Sequence, residues 1–217
     1  MPAVAMLKIA ELIPGARALV FDFDGTLVDS NSIKQRAFER CFSDFPERLE
    51  EIMAYCGRRH HTPRWEKFRY VYENILGLPY THEIEAALST RFAGETTRQI
   101  IEAGEVPGAA RFLEIVTYSH TTAVLSGTPH EILLAILEAR DWLNYFKCVQ
   151  GAPVDKSAWL AELRGKHGSR PGAVVFFGDT PEDADAARRA GCAFIAVGNA
   201  SLGRDAIASI EDFTVFT

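Results

Sequence analysis

The apolar and polar positions of this chain fall into two kinds of segment. Short apolar runs rich in β-branched and aromatic residues predict buried strands at 18–24, 121–127, 145–150, 173–178 and 193–197. Apolar residues at helical spacing predict helices over Glu131–Arg140, Ser157–Lys166 and Pro181–Ala190. Strands that alternate with helices are typical of an α/β fold, in which helices flank a mainly parallel sheet.

A different pattern fills residues 31–105. Helical apolar spacing with few strand signals predicts helices over Asn31–Phe42, Pro46–Cys56, Arg64–Leu76 and His82–Ala103. A block of roughly 75 residues is too long for a loop in a compact domain. We therefore expect a core formed by residues 1–30 and 106–217, with residues 31–105 inserted as a helical unit.

Two of the predicted strands end in carboxylates. Asp22 and Asp24 close the first strand, and side-chain alternation predicts that they lie on the same side of the sheet. Asp179 closes the 173–178 strand, and Asp183 follows it at a helix start. Each pair has an ordinary alternative, since Asp24-Gly25 suits a turn and Asp183 suits the third position of a helix capped by Thr180. Acids that converge at the carboxyl ends of parallel strands, however, predict a site for a hard divalent cation, Mg²⁺ before Ca²⁺.

The 121–127 strand ends in Ser126 and Gly127, and a helix start follows. Thr128 fits the N-cap and Pro129 the first helical position, and Glu131 would close a capping box. The N-terminus of a helix favours a phosphate or carboxylate, to which Ser126 could donate its hydroxyl. The alternative is a serine that merely ends a strand.

Lys156 precedes the helical pattern that begins at Ser157. A lysine at a helix start is usually a solvated charge, and the helix dipole mildly disfavours it. That local disadvantage makes a specific partner more plausible, because a cluster of acids with a phosphate needs a nearby cation.

These four segments, in this order, resemble the four motifs of the haloacid dehalogenase superfamily of phosphotransferases, whose capped members include phosphoglycolate phosphatase-like and beta-phosphoglucomutase-like proteins. The matching residues are Asp22-Phe23-Asp24-Gly25-Thr26, Ser126, Lys156, and Gly178-Asp179 with Asp183. The resemblance implies a Rossmann-like core whose inserted α-helical cap domain closes over the active site. One departure concerns the third motif, because Ser157 stands where family members often have proline, and Lys147 and Lys166 compete with Lys156 for this role.

The resemblance also implies a chemistry. Asp22 would attack phosphorus and form an aspartyl-phosphate, and Asp24 would protonate the leaving alkoxide and later take a proton from water. Mg²⁺ would be held by the Asp22 carboxylate, the Asp24 backbone carbonyl and Asp179, with Asp183 nearby. Ser126, Gly127 and Lys156 would bind the phosphate.

The implied function is therefore Mg²⁺-dependent hydrolysis of a small phosphorylated metabolite. The acid at Asp24 disfavours dehalogenases and phosphonatases, which lack one there. A beta-phosphoglucomutase-like phosphomutase remains the alternative enzyme. A non-catalytic protein that binds a phosphorylated ligand is a third possibility, disfavoured because all the motif side chains are retained.

The predicted cap carries a basic cluster made of Arg58, Arg59, His60, His61, Arg64, Lys67 and Arg69. It predicts either contact with an anionic substrate or an ordinary solvated helix face. Gly57 suggests a turn that would aim Arg58 or Arg59 at a substrate carboxylate or second phosphate. His60 and His61 lack the spacing of zinc ligands.

Composition narrows the class of partner. A net charge of −6 over 217 residues argues against a nucleic-acid surface. The four scattered cysteines favour reduced thiols in a cytoplasmic protein. We see neither an apolar segment long enough to span a membrane nor a signal peptide within residues 1–17, and we expect a monomer or homodimer.

Overall fold

The computed structural model describes residues 3–59, 62–168, 170 and 172–216. Within these residues, six strands form one sheet in the order β3-β2-β1-β4-β5-β6, and all five pairings are parallel. The strands are β1 Ala18–Phe21, β2 Thr121–Pro129, β3 Cys148–Ala152, β4 Val174–Gly178, β5 Ala193–Val197 and β6 Ala208–Ile210. The predicted α/β fold with a parallel sheet is confirmed.

Helices alternate with these strands or form the inserted block. They are α1 Ala3–Gly15, α2 Asn31–Cys41, α3 Leu49–Arg58, α4 Arg64–Tyr70, α5 His82–Glu102, α6 Ala109–Val116, α7 His130–Ala139, α8 Lys156–His167 and α9 Pro181–Ala190. The helix predicted over Arg64–Leu76 continues beyond α4 as a π-helix, Val71–Leu76. The strand predicted at 145–150 starts later than expected, because Leu143–Tyr145 forms a 3₁₀ turn.

The chain divides into two compact units. The core unit contains the described residues up to Asp29 and from Gly104 onward, and the helical unit is Ser30–Ala103. The core unit is continuous where the insert leaves and returns, since the Asp29 N–H donates to the Gly104 carbonyl at 3.0 Å. Val28 and Glu105 add an antiparallel bridge at the same place.

The two faces of the sheet bury different side chains, because residues alternate along each strand. On one face, Val20 and Phe176 pack with the small and aliphatic residues of α8 and α9. On the other, Phe21 stacks on Phe177 with 4.9 Å between ring centroids, in a cluster that includes Phe112 of α6. The apolar β1 is buried completely, so its C-terminal end is held rigidly.

The helical unit has its own core. Phe38, Phe68 and Phe92 meet edge to face, with ring centroids 4.8–6.1 Å apart. Lys67 is buried among them, with its Nζ 4.9 Å from the Phe38 ring and 3.5 Å from the Cys56 carbonyl. Lys67 therefore belongs to this interior rather than to a solvated basic face.

Among the described residues, no helix is long and apolar enough to cross a membrane.

Candidate active site

Three of the predicted carboxylates meet at the carboxyl ends of β1 and β4. Asp22 directly follows β1, and its N–H extends the pairing with β4 by donating to the Phe177 carbonyl at 2.8 Å. Asp179 directly follows β4, and Asp183 lies in the first turn of α9. One oxygen from each of Asp22, Asp179 and Asp183 lies within 4.8 Å of the others. Asp22 is only 6% exposed and Asp183 is fully buried.

Asp183 uses its two oxygens differently. Oδ2 accepts from the Thr180 hydroxyl at 2.6 Å and from the Thr180 N–H at 3.2 Å, while Thr180 Oγ1 accepts from the Asp183 N–H. The capping box expected for this helix is therefore present. Oδ1 accepts from Lys156 Nζ at 2.7 Å. A metal role for Asp183 stays a prediction, but the cap fixes the rotamer that such a role would use.

Gly178 makes this close approach of α9 to β4 possible. A Cβ placed on it would lie 2.5 Å from Asp183 Cβ and 2.7 Å from its Cγ. Such distances are far inside van der Waals contact, so any side chain at this position would displace the Asp183 carboxylate.

Lys156 supplies a cation to the acids. It is the first residue of α8, whose N-cap is Asp155, and its Nζ lies 3.0 Å from Asp22 Oδ1. Its competitors lie elsewhere: Lys166 pairs with Glu162, and Lys147 is exposed. The local disadvantage expected at a helix start is thus offset by two charged hydrogen bonds.

The pKa shifts of Lys156 and Asp22 follow from their burial and from the neighbouring charges. Burial lowers the pKa of Lys156, but the charges of Asp183 and Asp22 outweigh it, so the pKa is raised. Burial raises the pKa of Asp22, and Asp183, Asp179 and Asp24 raise it further, while Lys156 opposes them. The carboxylates therefore crowd together beyond what one lysine compensates, as a binding site for a divalent cation requires.

Asp24 turns to a different set of partners. Its Oδ2 accepts from Thr128 Oγ1 at 2.8 Å and from Ser126 Oγ at 3.4 Å, and all three side chains are buried.

The capping box predicted for Thr128 and Glu131 is wrong. The strand β2 runs on to Pro129, α7 begins at His130, and no side chain caps it.

Two residues that hold Asp179 were given no role from the sequence. Thr26 Oγ1 donates to Asp179 Oδ1 at 3.1 Å, and Asn199 Nδ2 donates to the Asp179 carbonyl at 2.9 Å. Thr26 is part of the first motif. Asn199 follows the carboxyl end of β5, and a polar residue at that place was the available signal.

The remaining predicted residues lie in two places. Gly127 is exposed between Ser126 and Thr128. Arg58 is the last residue of α3, Arg59 follows it, and both are exposed in the helical unit. The turn predicted at Gly57 is wrong, because α3 continues through it. His60 and His61 lie outside the described residues.

This fold and site define a class of protein. Residues 16–191 match the model of the family described as haloacid dehalogenase-like hydrolase, and the chain belongs to that family. The predicted membership and the predicted hydrolase class are confirmed.

Individual relatives are consistent with this membership. A phosphoglycolate phosphatase from Synechococcus elongatus is 28% identical over 184 residues, which cover 83% of each chain. A solved structure from Haemophilus somnus 129pt, whose role as a phosphoglycolate phosphatase is itself a prediction, is 21% identical with a TM-score of 0.71, covering 92% of this chain and 95% of that one. A beta-phosphoglucomutase-like protein from Bacteroides vulgatus is 20% identical with a TM-score of 0.73, covering 100% and 95%. These solved structures share the fold, and the family and the curated relative together support a phosphatase enzyme.

The donor set fits a magnesium ion. Asp22, Asp179 and Asp183 offer hard carboxylate oxygens close enough to share one cation, and Mg²⁺ prefers such ligands. The family membership is consistent with that choice.

Proposed function

We propose that this protein is a Mg²⁺-dependent phosphatase that hydrolyses a small phosphorylated metabolite through an aspartyl-phosphate on Asp22. The observation that carries the proposal is the cluster of Asp22, Asp179 and Asp183 with Lys156 hydrogen-bonded to two of its members. This cluster supports the proposal because the acid proposed as the nucleophile, the acids proposed to hold the cation and a lysine all lie close together.

In the first step, an Asp22 oxygen attacks phosphorus as the bond from phosphorus to the ester oxygen breaks. The Asp24 carboxyl group transfers its proton to that leaving oxygen, which departs as an alcohol. Lys156, the Ser126 hydroxyl and the backbone at Gly127 bind the phosphate oxygens.

In the second step, water attacks the phosphorus of the aspartyl-phosphate. The Asp24 carboxylate takes a proton from the water while the bond from phosphorus to Asp22 breaks, so inorganic phosphate leaves and both carboxyl groups regain their starting states. Mg²⁺ would be held by Asp22, Asp179, Asp183 and the Asp24 carbonyl. It would reduce the repulsion between the anionic nucleophile and the anionic ester and stabilise the transferring group.

The curated relative suggests the first metabolite to try. It is named a phosphoglycolate phosphatase, and 2-phosphoglycolate carries a carboxylate beside its phosphate ester. A carboxylate is the group that we predict Arg58 or Arg59 to bind. The phosphomutase alternative stays open, since it would share every motif of the core.

The test is a screen of phosphorylated metabolites, 2-phosphoglycolate and hexose phosphates among them, with Mg²⁺ and with a chelator. We expect inorganic phosphate to be released only with Mg²⁺. Phosphorus NMR distinguishes the two activities. Conversion of a hexose 1-phosphate into its 6-phosphate without release of inorganic phosphate would favour the mutase. Equal turnover with the metal and with the chelator would contradict the metal-dependent mechanism.

An Asp185→Asn variant is the control for substitutions of the acids in the cluster, such as Asp22→Asn. Asp185 is an exposed acid on α9 that pairs with Arg188 and lies outside the carboxylate cluster. Its activity and metal dependence should equal those of the wild type.

A further inference from the structure

The end of β2 brings two hydroxyls to one oxygen of Asp24. Thr128 Oγ1 donates to Asp24 Oδ2 at 2.8 Å, whereas Ser126 Oγ donates to the same oxygen at 3.4 Å. We infer that Thr128 is the positioning residue for Asp24 in its proton transfers. This inference rests on the proposed function, in which Asp24 is the general acid and base.

Thr128 is itself firmly held. It is 6% exposed, and its N–H donates to Ser126 Oγ at 3.0 Å. On the neighbouring strand, Gly151 packs so closely that an added Cβ would lie 2.6 Å from the Thr128 carbonyl oxygen. The Gly151 N–H also donates to His130 Nδ1 at 3.2 Å, which ties β3 to the start of α7. The hydroxyl of Thr128 therefore projects from a backbone with little room to shift.

The hydrogen bond suits both protonation states of Asp24. The ionised carboxylate accepts it at Oδ2. When Asp24 carries its proton on Oδ1, Oδ2 is the carbonyl oxygen of the acid and accepts the same hydrogen bond. Thr128 can thus hold one carboxyl orientation while the proton on Oδ1 passes to the leaving oxygen, and again while Oδ1 takes a proton from water.

Orientation matters because a general acid acts only within hydrogen-bond reach of the atom that it protonates. A buried carboxyl group without the Thr128 hydroxyl would keep the longer contact with Ser126 and gain rotational freedom. The loss should fall on proton donation rather than on phosphate binding. It should therefore depend on how much the leaving group needs a proton.

The test compares p-nitrophenyl phosphate, whose leaving group departs without help, with phenyl phosphate, whose leaving group is a much stronger base. The measured quantity is kcat/KM with Mg²⁺, because it reports the steps up to phosphorylation of the enzyme. Thr128→Val removes the hydroxyl and keeps the shape. We expect kcat/KM to fall about tenfold or more for phenyl phosphate and less than about threefold for p-nitrophenyl phosphate, as loss of general-acid help predicts.

Two further variants separate positioning from structure. Thr128→Ser keeps the hydroxyl and should restore the wild-type ratio of the two substrates. Thr122→Val is the matched control, since Thr122 is a buried threonine on the same strand whose hydroxyl donates to the Tyr145 carbonyl instead. It should leave both substrates unaffected. If Thr128→Val fails to fold, Thr128→Ala set against Thr128→Ser carries the same comparison.

The outcomes are distinct. An equal loss on both substrates, or no loss on either, in Thr128→Val would overturn the role of Thr128 and leave the phosphatase intact. A wild-type protein without Mg²⁺-dependent activity on either ester would overturn the proposed function, and the positioning role with it.

Discussion

At the scale of single residues, the site is governed by crowded negative charge. Asp22 and Asp183 are buried, and Lys156 bonds to both while Thr26 and Asn199 hold Asp179. Burying carboxylates together is unfavourable unless cations and hydrogen bonds compensate them. The repulsion among these carboxylates therefore lowers the stability of the protein, and a bound divalent cation would reduce it.

The Asp22→Asn substitution separates chemistry from stability. The amide keeps the shape, removes one of the crowded carboxylates and cannot act as the nucleophile. We expect kcat to fall at least about 10³-fold. The melting temperature without metal should hold or rise by up to about 4 °C, since ~1 kcal/mol shifts Tm by ~2–4 °C at this size. Turnover close to that of the wild type would place the nucleophile elsewhere.

Substrate choice gives a second prediction at this scale. A guanidinium at Arg58 or Arg59 would bind a substrate carboxylate through charged hydrogen bonds worth ~1.5–3 kcal/mol. Arg58→Ala or Arg59→Ala should therefore lower kcat/KM about ten- to a hundredfold for the best carboxylated metabolite, and much less for p-nitrophenyl phosphate.

Arg48→Ala is the control for these two variants, because Arg48 is a partly exposed arginine of the same unit that pairs with Glu51. The idea fails if neither arginine matters, or if the loss is the same for both substrates.

At the scale of elements, the turn from β4 to α9 decides how the site is assembled. Asp179 directly follows β4 and Asp183 lies in the first turn of α9, four residues later, and the cap at Thr180 fixes the start of the helix. Gly178, the last residue of β4, packs directly against the Asp183 side chain. The Asp183 carboxylate therefore contacts the strand, caps the helix and pairs with Lys156 at the same time.

Gly178→Ala should break this arrangement. The new methyl group would push Asp183 away, so the cap and the Lys156 ion pair would both suffer. We expect a loss of about 1–3 kcal/mol in the free energy of unfolding and weaker Mg²⁺ dependence of activity. Chemical denaturation and a Mg²⁺ titration of activity measure the two effects.

Gly165→Ala is the matched control. Gly165 lies inside α8, and apart from the backbone of the helix itself no atom of the described residues lies within 4 Å of an added Cβ. Alanine is the better helix former, so stability should hold or rise by ~0.5–1 kcal/mol. Equal stability of the Gly178 and Gly165 variants would show that Asp183 adapts without cost.

At the scale of the whole molecule, the chain is a core unit with an insert that leaves and returns at neighbouring points. The Asp29–Gly104 hydrogen bond and the donation from the Val106 N–H to the Leu27 carbonyl at 2.9 Å close the core unit at that place. The sheet and its two packed faces draw on residues of the core unit alone.

Replacing residues 30–103 by a short glycine-serine linker should therefore leave a core that unfolds cooperatively. Because the carboxylate cluster belongs to that core, Mg²⁺ should still raise its melting temperature. Saturation at a hundredfold excess over Kd corresponds to about 2.7 kcal/mol of stabilisation. Calorimetry with and without Mg²⁺ measures this, and a non-cooperative transition, or one insensitive to the metal, would contradict it.

The sequence by itself determined the alternation of strands and helices and the places where acids end strands, and it predicted a helical block inserted at 31–105. These features are local, because periodicity and strand termini are written in neighbouring residues. The parallel order of the strands then brings their carboxyl ends to one edge, so Asp22, Asp179 and Lys156 were within reach of prediction.

Only the tertiary structure decided which partners those side chains take. The local pattern at Thr128 suits a helix cap equally well, yet the hydroxyl bonds to Asp24 from a strand that runs two residues further. Asn199 gains its role from the spatial order of β4 and β5, which adjoin although a helix separates them in the chain. Hydrogen bonds between distant segments depend on strand order and register, and neither is encoded in any short stretch of sequence.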